Sequence, residues 1–207
     1  TQHKFKIRYG YIEGRFKMPA QLGTWPAFWM LQDGWPPEID IFEVPHARNQ
    51  HHYYLHYTQP DWYASHGDAW DHEASFGGVH TGPDKSADFH NYGLEWNERY
   101  MNFYFDDKLV ASYNRPTEIS QTEAMYIIIN LAIGGWATDN GNPIEVTASN
   151  PAYLECDWVR VWEKNPAAEI PTGNLRFYSI SDGKCLVADN NDIKLGDCES
   201  SSSYATL

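Results

Sequence analysis

Three carboxylates fall within the six residues Glu38-Ile39-Asp40-Ile41-Phe42-Glu43. The rest of that run is apolar. Acids are disfavoured in strands and costly to bury unpaired, so their presence needs a chemical reason. Strict alternation puts Glu38, Asp40 and Phe42 on one face and Glu43 on the other. A one-residue bulge near Ile41-Phe42 would return Glu43 to the first face. Three acids on one surface can divide labour. One stays ionised as a nucleophile, while a neighbouring charge keeps another protonated as an acid. A separation of roughly 5–5.5 Å between two carboxyl groups is the geometry of retaining glycoside hydrolysis. The rival reading is a solvated sheet face with Asp40 capping a turn, which is the commoner fate of a generic acidic strand. Here Trp25, Trp29 and Trp35 flank the motif. Rings beside paired acids suit a sugar, whose C–H faces stack on them.

The segments that must hold this motif read as strands. Residues 9–18 alternate, with Tyr11, Glu13, Arg15 and Lys17 on one face and Ile12, Gly14, Phe16 and Met18 on the other. Residues 25–31 are densely apolar, and Gly34-Trp35-Pro36-Pro37 breaks the chain before the acidic strand at 38–44. Further strands are expected at 52–58, 89–96, 99–105, 109–113, 125–133 and 153–163. The third and fourth of these form a hairpin through Asp106-Asp107. The continuous apolar stretch 125–133 reads as a strand buried on both faces. No convincing amphipathic helix is present. Many short strands with Gly, Pro, Asp and Asn turns imply an all-β sandwich of two antiparallel sheets.

At 207 residues the chain can hold one full domain, or one domain and part of another. A net charge of −13 argues against nucleic acid and against anionic membrane surfaces. No apolar run reaches the length of a membrane-spanning helix. Aromatic residues make up 15% of the chain, either as core or as ligand platforms. Residues 165–173 carry two prolines and no periodicity, so they read as a linker between 1–164 and 174–207. Cys156, in an apolar stretch, reads as a small buried thiol. Cys185 and Cys198 are close enough for a local disulfide, which would indicate an oxidising compartment. No Cys-x-x-Cys pair or His-Glu-x-x-His spacing points to a metal, and the nine histidines, His51 and His52 included, read as solvated loop residues. Trp96, Trp158 and Trp162 read as core, whereas Trp136, after Gly134-Gly135, reads as a ligand platform. Asn130 sits in the apolar strand and must find hydrogen bonds there.

Several blocks, in order, resemble glycoside hydrolase family 16. They are Tyr9-Gly10-Tyr11-Ile12-Glu13-Gly14-Arg15-Phe16-Lys17-Met18-Pro19, Gly23-Thr24-Trp25-Pro26-Ala27-Phe28-Trp29-Met30-Leu31, the acidic hexamer, and Phe89-His90-Asn91-Tyr92-Gly93-Leu94-Glu95-Trp96. Asn130-Leu131-Ala132-Ile133-Gly134-Gly135-Trp136 and Asp157-Trp158-Val159-Arg160-Val161-Trp162 complete the set. The resemblance spans roughly residues 5–163. It implies a β-jelly-roll and a retaining mechanism with Glu38 as nucleophile, Glu43 as acid/base and Asp40 as the carboxylate that tunes them. The two residues between Asp40 and Glu43 resemble the bulged branch of laminarinases, agarases and carrageenases, and the flanking blocks are most similar to its laminarinases. A sulfated galactan would call for a basic cleft, which the charge balance does not favour.

The resemblance also implies that His56 lies on a cleft-lining strand and that Asn130 meets the nucleophile or the sugar. It implies a structural calcium at Asp157, and further N-terminal strands before residue 9. On that expectation the sandwich lacks its first strands, and residues 1–207 alone would be poorly active. Residues 174–207 resemble the first repeat of a ricin-type β-trefoil sugar-binding module, which implies a Cys185–Cys198 disulfide.

The expected protein is a secreted, monomeric endo-β-1,3-glucanase of laminarin-type polysaccharide. Trp25, Trp29, Trp35, His56, Asn130 and Trp136 would bind substrate, and catalysis would need no cofactor. An agarase- or carrageenase-type hydrolase, a transglycosylase and a non-catalytic carbohydrate-binding jelly roll are the alternatives.

Overall fold

Alternation becomes architecture at β1 (Gly10–Lys17), where Ile12 and Phe16 turn inward and are fully buried while Tyr11 and Arg15 face away. The computed structural model describes residues 1–59 and 73–163, plus the backbone of three short strands further on. The chain divides into two compact units, Thr1–Lys164 and Asn165–Leu207.

The first unit is a sandwich of two five-stranded antiparallel sheets. After β1 come β2 (Thr24–Leu31), β3 (Glu38–Glu43), β4 (Gln50–Thr58) and β5 (Glu73–Thr81). Next are β6 (His90–Trp96), β7 (Tyr100–Phe105) and β8 (Lys108–Asn114), then a four-residue helix α1 (Pro116–Ile119), β9 (Tyr126–Ile133) and β10 (Glu155–Trp162). One sheet runs β10-β1-β6-β7-β8 and the other β5-β4-β3-β2-β9. Between them lies an aromatic centre. Phe42 sits 4.5 Å from Tyr92 and 5.1 Å from Phe16, and Phe16 sits 5.0 Å from Phe28, centroid to centroid. Fully burying a side chain of this size contributes about 1.5–3 kcal/mol.

β5 is absent from the sequence reading because Gly77-Gly78 interrupts its alternation. Those glycines are there for close approach: a Cβ on Gly77 would stand 2.0 Å from the Tyr53 carbonyl oxygen. β4 begins at Gln50, earlier than its Tyr-rich run suggests. His51 is therefore a buried strand residue, 1% exposed, among His80, Tyr92 and Phe105, and not a solvated loop histidine.

Three more expectations change with the sheet order. β9 is an edge strand, so only Tyr126 and Ile127 are buried in it, while Ile129, Asn130 and Ile133 are exposed. Register pairs Tyr11 with Trp162 and Arg15 with Trp158, which puts both tryptophans on the face turned away from the core; Trp162 is 46% exposed. Trp96 alone of the three is core. Cys156 also lies on an edge strand, β10, and is exposed.

In the second unit, β11 (Arg176–Tyr178), β12 (Lys184–Asp189) and β13 (Asp192–Asp197) form an antiparallel three-stranded sheet.

Candidate active site

β3 carries the acids, and its register explains how all three reach one face. Against β2, Phe28 pairs with Phe42 and Trp29 with Asp40, which leaves Ile41 without a partner. Against β4, Asp40 pairs with Tyr54 and Glu43 with His52, so three steps on β3 match two on β4. The bulge anticipated from the sequence is present. It sends Phe42 into the core instead of onto the acids' face, and returns Glu43 to the side of Glu38 and Asp40.

Each acid has a distinct surrounding. Trp25 donates its indole N–H to Glu43 Oε1 at 2.9 Å, and the Trp35 indole hydrogen-bonds Glu38. Asp40, between them, is 2% exposed, and its Oδ2 lies 3.0 Å from His56 Nε2. An oxygen of Glu38, an oxygen of Asp40 and a ring nitrogen of His56 lie within 4.8 Å of one another. The other ring nitrogen of His56 meets Glu73 Oε1, on β5.

Burial pushes Glu38 up to about 7; the Asp40 charge adds to this, and His56 and Trp35 oppose it. Burial pushes Glu43 higher, to about 8, with Asp40 again adding and the Trp25 N–H opposing. Burial also raises Asp40, against the pull of His56. For His56, burial alone favours the neutral ring, but its interactions with the Asp40 and Glu73 carboxylates outweigh it and raise the imidazole to about 9. Burial therefore favours the protonated form of both glutamates, and the neighbouring carboxylates favour the charged form of His56 beside Glu38.

The acids sit at the middle of an open cleft that crosses the strands. On one side a cavity of about 230 Å³ is lined by Trp25, Trp29, Asn130 and the small residues Ala27 and Ala132, with all three acids. On the other, a cavity of about 420 Å³ runs past Tyr54, His56 and Ser75 to Trp136. No Lys or Arg lines either half among the described residues. Trp29 donates Nε1–H to Asn130 Oδ1 at 2.7 Å, so Asn130 orients a platform instead of serving a buried strand. Gly134 and Gly135 take φ of +79° and +56°, the left-handed turn that swings Trp136 over the cleft. Its ring lies 5.6 Å from Trp25 and 4.8 Å from His52, and His46 Nε2 donates to its carbonyl oxygen at 2.9 Å.

Glu38, Asp40, Glu43, Trp25, Trp29, His56, Asn130 and Trp136 thus line one cleft, and Trp35, 37% exposed, stands at Glu38. Sequence reasoning missed His52 and Tyr54, although they alternate with His56 on β4, and missed Glu73 and Ser75 together with their strand. Asp157 Oδ2 accepts a 2.7 Å hydrogen bond from Arg15 Nη1. The Cys185–Cys198 pairing lies outside the described residues.

The sequence profile of glycosyl hydrolases family 16 matches residues 1–160. The chain is 34% identical to the endo-1,3-1,4-beta-glycanase EglC of Rhizobium meliloti, over 76% of this chain and 33% of that protein. It is 33% identical to the beta-glucanase of Rhodothermus marinus, over 78% of this chain and 60% of that one. It therefore spans about a third of the first relative's length and three fifths of the second's. Its fold is similar to the catalytic domain of an endo-1,3-beta-glucanase (laminarinase) from Thermotoga petrophila. There the TM-score is 0.62 at 34% identity, covering 80% of this chain and 68% of that one.

Proposed function

Because this chain belongs to glycosyl hydrolase family 16, we propose that its first unit is an endo-acting, retaining hydrolase of β-1,3-glucan, including mixed-linkage β-1,3(4)-glucan. One observation carries the reading: the bulge in β3 gathers Glu38, Asp40 and Glu43 at the middle of a cleft open on both sides.

In the proposed reaction the Glu38 carboxylate attacks the anomeric carbon while Glu43 gives its proton to the leaving glycosidic oxygen. A glycosyl ester on Glu38 results. Glu43, now ionised, takes a proton from water as that water attacks the same carbon and frees Glu38. Asp40, buried between them, couples their protonation: its charge raises both neighbours, so Glu43 keeps its proton until the leaving group needs it. Cleft on both sides of the acids suits cleavage within a chain. Trp25, Trp29 and Trp136 offer ring faces to a neutral glucan, and the absence of lining Lys and Arg among the described residues favours it over a sulfated galactan.

Supported by its three antiparallel strands and the spacing of Cys185 and Cys198, we read 174–207 as part of a ricin-type sugar-binding module. An extracellular site of action follows from a polymeric substrate. The test is reducing-end release from laminarin, mixed-linkage glucan, agarose and carrageenan. Wild type should act on the first two, and Glu38→Gln should lose all release. Full rates in that variant would sink the assignment.

A further inference from the structure

Glu73 lies on β5, two strands away from the acids, in a segment without a motif. Register sets it near them: Glu38 pairs with His56, His56 with Ser75, and Thr58 with Glu73. Glu73 and Ser75 are two apart and share a face, so the Glu73 carboxylate comes alongside the His56 ring. It contacts Nδ1, while Nε2 faces Asp40 Oδ2 at 3.0 Å. Glu73 is not among the residues lining the cleft.

A neutral imidazole has one N–H donor, and carboxylates only accept. A ring whose Nδ1 hydrogen-bonds one carboxylate and whose Nε2 stands 3.0 Å from another is favoured with both protons in place. Among the described residues, the charged and titratable groups facing His56 are Glu38 and Asp40 from β3, Tyr54 on its own strand and Glu73 from β5. Without Glu73, Nδ1 would face no anion among the described residues, and the β3 acids would be left to hold the second proton.

We propose that Glu73 is a positioning residue that fixes His56 as a doubly protonated, non-rotating cation beside Asp40 and Glu38. The cation stabilises ionised Asp40 and lowers the proton affinity of the nucleophile, while Glu73 never touches the sugar. This role in turnover rests on the hydrolase reading above, but the link from Glu73 to His56 does not.

The test is made on the full chain with Glu73→Gln and Glu73→Asp. Imidazole NMR, assigned with His56→Gln, follows the ring through pH titration. The midpoint of His56 should fall by at least one unit in Glu73→Gln and recover partly in Glu73→Asp. On laminarin, Glu73→Gln should lower kcat at least about fivefold, through misplacement of the acids, with KM changed less than about twofold. An unmoved midpoint overturns the proposal, and so does a lowered midpoint with unchanged kcat. If wild type turns over no glucan, the function assignment fails, while the titration still decides whether Glu73 holds the ring charged.

Discussion

Trp25 gives its indole N–H to the carboxylate of Glu43 at 2.9 Å, from the strand that also supplies the floor of the cleft. That bond is made to the ionised form of the acid/base, so it opposes the upward push of burial. Trp25→Phe keeps a ring and removes the donor. Proton affinity at Glu43 should then rise, and the alkaline limb of kcat/KM, where the general acid loses its proton, should move up by about one unit. A pH–rate profile reads this directly; a limb that stays put or moves down would show that Trp25 does not tune Glu43.

The adjacent pair Phe42 and Glu43 shows what the sequence made legible. Three acids in a strand, flanked by tryptophans, suggest one acid-bearing face, and a bulge is what brings Glu43 onto it. Phe42 illustrates the other half of that inference, since the same bulge that lifts Glu43 out must drive its neighbour in. Alternation, apolar runs and turn residues place most strands to within two residues of their observed ends. What stayed hidden depended on pairing across sequence. Alternation on β10 gives two faces without saying which one meets the core, and Trp158 and Trp162 were assigned to the wrong one. The apolar run of β9 looked doubly buried because a run cannot report that its strand lies at a sheet edge. β5 has no periodic signature around Gly77-Gly78, so Glu73 and Ser75 could not be attached to the site.

Phe42→Ala should be strongly destabilising. The ring is fully buried and is in contact with rings from three other strands. Deleting it leaves a cavity at the bulge that rigid neighbours cannot fill, at about 3–5 kcal/mol. Chemical denaturation should show a lower midpoint with little change in m, and a loss under about 1 kcal/mol would mean that the bulge repacks.

Trp136 is held from below by His46 and stands beside Trp25 and His52, so its ring can serve as a platform without being needed for folding. Trp136→Ala should raise KM for laminarin by about three- to tenfold, the range of an aromatic contact of about 0.5–1.5 kcal/mol, and affect kcat less. An unchanged KM with a lower kcat would place Trp136 with the reacting groups instead of with substrate binding.

The contribution of the acidic site to stability should fall as pH rises through the range where it titrates, because burial favours the protonated acids. Glu38 and Glu43 go from the ordinary carboxylate range to about 7 and about 8, and His56 goes up to about 9. Between about pH 5 and pH 9 these three groups bind more protons in the native state than in the unfolded chain, so their contribution to the slope of unfolding free energy with pH is negative. Their stabilising contribution is complete at acid pH, below the unfolded values, and is lost as pH climbs through the folded ones. Glu43→Gln keeps the shape and removes one of these titrations. Its melting temperature should match wild type near pH 5 and exceed it by a few degrees at pH 8, while hydrolysis of laminarin collapses. A Gln variant with no greater advantage at pH 8 than at pH 5 would show that the fold does not hold a proton on Glu43.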